Sequence, residues 1–184
     1  MKHAVNLRSA GAIFFALAAL ILAAPGPAGS AEEPPAPKIG VPYTLPEWFK
    51  PSFLDFRQDV AEARKQGRQV MVFFHLDNCP YCARMLKDSF TSGANHDFIR
   101  KHFDVVAVNV RGSLETKWVN GETYTERGLT VHLGVRGTPT LVFLDQDGKN
   151  VLQLAGYRDP GALRAALDYV QGQRYRSGPF LGGK

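Results

Sequence analysis

The sequence predicts an α/β fold, a central mixed β-sheet flanked by helices, with an extended N-terminal lead and one long loop. Three observations predict it. Residues 69–75 (Gln69-Val70-Met71-Val72-Phe73-Phe74-His75) are apolar on both faces, as a central strand covered by helices on each side must be. A helical periodicity follows and leads into another continuous apolar run, residues 105–110, so these two strands should pair in parallel through a right-handed crossover. The run Leu141-Val142-Phe143-Leu144 turns back through Asp145-Gln146-Asp147-Gly148 into Val151-Leu152-Gln153-Leu154, an antiparallel hairpin, and a sheet holding both kinds of pairing is mixed. A chain of 184 residues, 45% of them hydrophobic, has material for one core and not comfortably for two.

The elements follow in order. Lys2, His3 and Arg8 precede an apolar stretch, residues 11–24, and then Pro25-Gly26-Pro27-Ala28-Gly29-Ser30-Ala31. This is the layout of a secretory signal peptide over residues 1–31, with cleavage expected near Ala31 or else at Ala28. The apolar stretch is shorter than the roughly 20 residues that a bilayer core asks for, and no cysteine follows it to carry a lipid, so no permanent membrane anchor is expected. Residues 32–52 contain Pro34, Pro35, Pro37, Pro42, Pro46 and Pro51 and read as an extended lead, anchored on the domain by Trp48 and Phe49. The domain proper is expected over residues 53–171. Asp55 caps a first helix in which Phe56, Val60 and Ala63 recur at helical spacing, and Gly67 closes it.

After the first strand, Cys82, Met85, Leu86 and Phe90 share a helical face until Ser92-Gly93, and a second helical piece is expected over residues 94–103. Residues 111–124 form the long loop, with a hairpin signal at Asn120-Gly121, and residues 125–133 read as a short helix. Asp159 caps the last helix, Pro160 takes its first position, Leu163, Leu167 and Val170 line one face, and Gly172 ends it. Residues 172–184 are expected to be a flexible tail.

The chemistry concentrates at Cys79-Pro80-Tyr81-Cys82, which holds both cysteines of the chain. A strand, the short polar turn Leu76-Asp77-Asn78 and a helix place Cys79 at the helix mouth and Cys82 in its first turn. Unpaired N–H groups and the positive dipole end favour an anion there, which lowers the Cys79 pKa below the free-thiol value of about 8.5 and makes it the nucleophile. Cys82, one turn along on the same side and deeper, can close a disulfide or resolve a mixed one. Pro80 stiffens the turn at a position where its missing N–H costs nothing.

A Cys-x-x-Cys pair can also be half of a zinc site. Zinc asks for four ligands, though, and there is no second such pair, nor a histidine at ligand spacing among His75, His96, His102 and His132. No metal and no cofactor is therefore expected. The full chain carries 22 basic and 17 acidic residues. Loss of Lys2 and Arg8 with residues 1–31 leaves 20 against 17, a net charge of +3, too mild and too scattered to argue for nucleic acid. Export and two cysteines in a redox spacing point to an oxidising compartment, the periplasm, where a dithiol needs a dedicated partner to set its redox state.

Taken with Gly156, this order of elements resembles the thioredoxin fold over residues 53–171, and Thr138-Pro139 resembles that family's cis-proline element. The resemblance implies that Thr138 and Pro139 lie against the dithiol and present backbone groups to an extended substrate chain. A proline entering a central strand is otherwise awkward. A narrower resemblance is carried by residues 42–55 (Pro42-Tyr43-Thr44-Leu45-Pro46-Glu47-Trp48-Phe49-Lys50-Pro51-Ser52-Phe53-Leu54-Asp55), Asn78-Cys79-Pro80-Tyr81-Cys82, Asn109-Val110-Arg111-Gly112, Gly121-Glu122, residues 138–143 and Ala155-Gly156-Tyr157. Together they are similar to the periplasmic thioredoxins of the bacterial sulfur-oxidation (Sox) system, the SoxW type. That resemblance implies a reductant that takes electrons from a membrane thiol transporter and keeps the cysteine of a periplasmic sulfur-carrier protein reduced.

Against ordinary cytosolic thioredoxin the sequence departs in three places. The dipeptide is Pro80-Tyr81, Asn78 replaces an aromatic, and Phe73 stands where a buried acid would take the proton of the second cysteine. His75, Asp77 and water are the remaining acceptors, and solvation or packing is the plainer role for each side chain. Trp118 in the long loop is either packed or used in partner choice. The expected activity is thiol–disulfide exchange on a protein disulfide. Its rivals are a disulfide oxidase serving protein folding and a non-catalytic binding module on the same fold.

Overall fold

The computed structural model describes residues 40–182; the expected signal peptide and the first part of the lead lie outside the described residues. The observed order is α1 (Phe56–Lys65), β1 (Gln69–His75), α2 (Pro80–Met85), a π-helical turn (Leu86–Phe90), α3 (Gly93–His102), β2 (Phe103–Asn109), β3 (Glu115–Lys117), β4 (Thr123–Thr125), α4 (Glu126–His132), β5 (Thr140–Leu144), β6 (Asn150–Ala155), α5 (Pro160–Gln171) and a 3-10 turn (Arg174–Arg176). The main sheet runs β2-β1-β5-β6. β1 pairs with β2 in parallel, His75 opposite Asn109, and with β5 antiparallel, Phe73 opposite Leu141, while β5 and β6 form the expected hairpin. The sheet is therefore mixed, and the fold is the thioredoxin fold.

The two-sided apolar character of β1 follows from a core on each face. Met71 and Phe73 join Leu141, Phe143, the inner face of α2, Ile99 of α3 and Leu163, Leu167 and Val170 of α5. The alternate residues Val70, Val72 and Phe74 pack with Val106, Val108, Val142, Phe56 and Val60 of α1 and Leu129 of α4. With successive side chains on opposite faces, one strand serves both cores.

Local signals act where expected. Asp55 accepts from Gln58 N at 3.2 Å, Thr125 from Gly128 N at 3.0 Å and Asp159 from Ala162 N at 2.9 Å, each relieving an orphan donor of its helix. The long loop forms the β3–β4 hairpin, Thr116 opposite Tyr124. Trp118 is only 4% exposed, its ring 4.9 Å from that of Phe56, so it packs and is not available to select a partner. β2 begins two residues earlier than the sequence suggested, directly after α3. Phe103 sits in the core with its ring 5.7 Å from Phe143, and that burial draws it into the strand although its spacing also suits the helix.

The described part of the lead is fixed by its aromatic pair. Trp48 Nε1 donates to Phe90 O at 3.1 Å, Phe49 packs against Phe73 and Phe90, and Lys50 N donates to Val105 O at 2.8 Å. The Lys50 ammonium reaches Asp59, 3.5 Å away, and Glu62 of α1. Beyond α5, Tyr169 Oη donates to Gly178 O at 2.7 Å and its ring meets Phe180, so the segment expected as a loose tail touches the domain as far as Phe180. No helix among the described residues is long and apolar enough to cross a membrane.

Candidate active site around Cys79 and Cys82

The turn after β1 delivers the first sulfur. Cys79 N donates to Leu76 O at 3.2 Å, and Asn78 takes a left-handed φ of 58°, a conformation that asparagine tolerates better than most side chains. This gives a local reason for Asn78 before the first cysteine. Cys79 is the N-cap of α2, with Pro80 at the first helical position, and Cys79 Sγ accepts from Cys82 N at 3.1 Å. Residues 79 and 82 form a disulfide with Cα atoms 5.2 Å apart.

The two sulfurs are not equivalent. Cys79 keeps 7% of its surface open and Cys82 none, so of the two only Cys79 borders solvent. Cys82 lies among Phe73, Met85 and Leu86 in the core between sheet and helices. Tyr81, 37% exposed, stands on the outer surface between the cysteines.

Thr138 and Pro139 come to the pair from far along the chain. Their peptide bond is cis, and Thr138 Oγ1 donates to Cys79 Sγ at 3.3 Å. Pro139 O accepts from Gly156 N at 2.8 Å, which ties the segment to the end of β6. Cys79, Cys82, Pro80, Tyr81, Thr138 and Pro139 are thus brought into one neighbourhood. The Cys79 sulfur receives an N–H and an O–H, both of which favour its anion over its thiol.

His75 and Asp77, named from the sequence as possible proton acceptors, meet groups that the sequence did not single out. Tyr43 of the lead places its hydroxyl 2.9 Å from His75 Nδ1 and 2.9 Å from Leu76 O. Burial holds the His75 pKa below the usual histidine value, against the pull of Asp77 and Glu126, and burial with Asp77 pushes the Tyr43 phenol well above its usual range. Asp77 itself is exposed and accepts from Asn109 Nδ2 at 3.3 Å. Buried Glu126 accepts from Asn109 N at 2.9 Å and Leu114 N at 3.3 Å, joining the β3–β4 hairpin to the end of β2. Beside Tyr81, the Tyr157 hydroxyl donates to Asp88 at 2.7 Å and the Arg84 guanidinium lies 4.5 Å from the Tyr157 ring centre. Spacing along the chain carries no signal for these groups, since each meets its partner only through the tertiary fold.

Among the described residues no group of three or more histidines, cysteines or carboxylates is placed to hold a metal ion. The thioredoxin-like domain model matches residues 56–171. No curated protein matches the chain. Among solved structures, a thioredoxin-fold protein from Helicobacter pylori is 25% identical, with a TM-score of 0.55 over 70% of this chain and 86% of that one. A thioredoxin from Thermus thermophilus is 28% identical, with a TM-score of 0.50 over 63% of this chain and 83% of that one. With a disulfide-forming Cys-x-x-Cys pair at the mouth of its second helix, the chain belongs to the thioredoxin-like domain family, as a thiol–disulfide oxidoreductase.

Proposed function

We propose that this protein is a periplasmic thioredoxin-like reductant that keeps protein thiols reduced. Its electrons come from a membrane thiol transporter, and its target is a sulfur-carrier protein of the kind served by the Sox-type thioredoxins that its sequence resembles. The observation that carries the exchange chemistry is the asymmetry of the pair, Cys79 with a little of its surface open and its sulfur hydrogen-bonded as an anion would be, Cys82 fully buried. The Cys79 thiolate attacks a substrate disulfide and expels one substrate thiolate, leaving a Cys79–substrate disulfide. Cys82 then displaces the second substrate thiolate and the Cys79–Cys82 bond closes, so the substrate gains the two electrons that the dithiol loses. Thr138 and Pro139 flank the extended substrate chain, and Tyr81 meets it from the helix side.

The test is covalent capture in periplasm. Cys82→Ser should retain partners as mixed disulfides and Cys79→Ser should not; equal capture by both overturns the roles. Insulin reduction with a dithiol donor separates an exchange enzyme from a binding module, which would be inert.

One observation favours a second reading, a disulfide oxidase. Every donor that stabilises the Cys79 thiolate also stabilises the dithiol form, and so makes the disulfide more oxidising. A reduction potential near about −270 mV fits the reductant and one near about −120 mV the oxidase.

A further inference from the structure

The connection from β1 to α2 carries the nucleophile, and few hydrogen bonds hold it. Leu76, Asp77 and Asn78 lie outside both elements and lead straight into the capping Cys79. Within this turn Cys79 N donates to Leu76 O at 3.2 Å. Among the described residues, two hydrogen bonds reach residues 76–78 from other segments. Asn109 Nδ2 donates to Asp77 Oδ2, but that bond is long at 3.3 Å and exposed, so water competes for it. The other comes from the lead: the Tyr43 hydroxyl donates to Leu76 O at 2.9 Å across 33 residues, in a partly buried setting. One carbonyl thus accepts both from Tyr43 and from the backbone amide of the nucleophile.

Tyr43 is built as a fixed donor. Its ring packs against the core cluster that contains both cysteines and meets the His75 ring edge-on, 6.2 Å between centres. Further along the lead, Trp48 and Lys50 are bonded to Phe90 O and Val105 O, so the segment that carries Tyr43 is itself tied down. Burial, aided by Asp77, pushes the phenol well above its usual range, and the hydroxyl keeps its proton. That single proton goes to Leu76 O, a carbonyl that can only accept. Tyr43 Oη therefore accepts from His75 Nδ1, and the hydrogen-bond network assigns the neutral ring its proton there. Tyr43 also stands outside residues 56–171, the part of the chain that the thioredoxin-like domain model matches, so this contact is one that the lead adds to the family's domain.

We infer that Tyr43 is a positioning residue for the nucleophile, its hydroxyl holding the turn that presents Cys79 at the mouth of α2. The inference rests on the exchange reading above. The Cys79 sulfur depends on two donors, Cys82 N at 3.1 Å and Thr138 Oγ1 at 3.3 Å, whose reach is set by where the turn leaves that sulfur. Those donors are fixed by bonds of their own: Ala83 N to Cys79 O opens α2, and Gly156 N to Pro139 O holds the segment after Thr138. A turn free to shift lengthens both bonds to the sulfur on average, and hydrogen bonds to an anion weaken with poorer geometry. By fixing Leu76 O, Tyr43 keeps the sulfur between donors already in place when the thiolate forms. The hydroxyl transfers no proton and acts only through Leu76.

The experiment compares the unsubstituted protein with Tyr43→Phe, which keeps the ring and its packing, loses one neutral hydrogen bond and therefore folds. Thiolate absorbance of the reduced proteins gives the acidity constant of Cys79, and amide hydrogen exchange followed by NMR reports on the turn. The acidity constant should fall by a factor of about 2 to 10, the most that one neutral hydrogen bond transmits. The Cys79 amide, which shares Leu76 O with Tyr43, should exchange faster while the amide of Val72 in β1 does not. An unchanged or increased acidity constant overturns the inference whatever happens to stability, because a hydroxyl with a merely structural role lowers the unfolding free energy and leaves the thiol alone. Exchange that quickens equally at Cys79 and Val72 also overturns it, since the hydroxyl would then serve the whole fold and not the turn. Insulin reduction by the unsubstituted protein tests the exchange reading separately, so an active protein whose Cys79 acidity is unmoved by Tyr43→Phe loses only the inference.

Discussion

Gly112 lies under the carboxyl group of Glu126, and substituting it tests how the β3–β4 hairpin is joined to the main sheet. A Cβ at position 112 would sit 1.8 Å from Glu126 Oε2 and 2.5 Å from its Cδ, well inside any van der Waals contact. Glu126 is 6% exposed, and its carboxyl accepts from Asn109 N and Leu114 N. Gly112→Ala must therefore expel the carboxyl or shift the backbone. Hydrogen bonds to a charged group contribute about 1.5–3 kcal/mol each. The Leu114 bond is long at 3.3 Å and Leu114 is exposed, so water replaces much of it and the Asn109 bond dominates. Gly112→Ala should thus cost about 2–4 kcal/mol, and Glu126→Ala, which breaks the same bonds, a similar amount. Once Glu126 is alanine nothing remains to collide with, so adding Gly112→Ala should cost under about 1 kcal/mol, a coupling of about 2 kcal/mol. Urea unfolding of the two single variants and the double variant measures all three. Additive losses would refute the reasoning, because they would mean that the residues destabilise for unrelated reasons.

Four further outcomes are expected. Thr138→Val removes the hydroxyl donor to Cys79 Sγ and should raise the pKa at which Cys79 ionises by about 1, read from thiolate absorbance in the reduced protein. Phe49→Ala empties a site packed by Phe73 and Phe90 and should cost about 3–5 kcal/mol in denaturant unfolding. Asp159→Ala should cost about 1 kcal/mol through loss of the α5 cap, while Asp159→Asn, which caps as well, should be nearly neutral. The Asp59 carboxyl is raised above its ordinary value by burial, despite Ser52 and Lys50, so between the unfolded and folded pKa values the folded chain binds more protons. Its contribution to stability therefore declines as pH rises through that window, and Asp59→Asn should flatten this part of a stability-against-pH curve.

Much of the fold was legible because local signals are written in neighbouring residues. The β1 run matches Gln69–His75, and the caps Asp55 and Asp159 act as their residue types predict. Misreadings fell where two local patterns overlap. Phe103 suits both the end of α3 and the start of β2, and only its burial beside Phe143 decides between them. The helix after the dithiol passes through the π-helical turn Leu86–Phe90, although side-chain spacing there reads as ordinary helix.

For the site, neighbouring residues were enough to place both cysteines at the start of one helix, Cys79 ahead of Cys82. Cys79 caps a helix and Cys82 follows one turn later because a strand, a turn with a left-handed Asn78 and a proline at the first helical position leave little alternative. The tertiary structure alone decided what surrounds the sulfurs. Thr138 reaches Cys79 across 59 residues and Tyr43 reaches His75 across 32. Helix and strand signals depend on contacts between near neighbours along the chain, whereas the hydrogen bonds that hold a thiolate or fix an imidazole's tautomer exist only after packing has brought distant segments together.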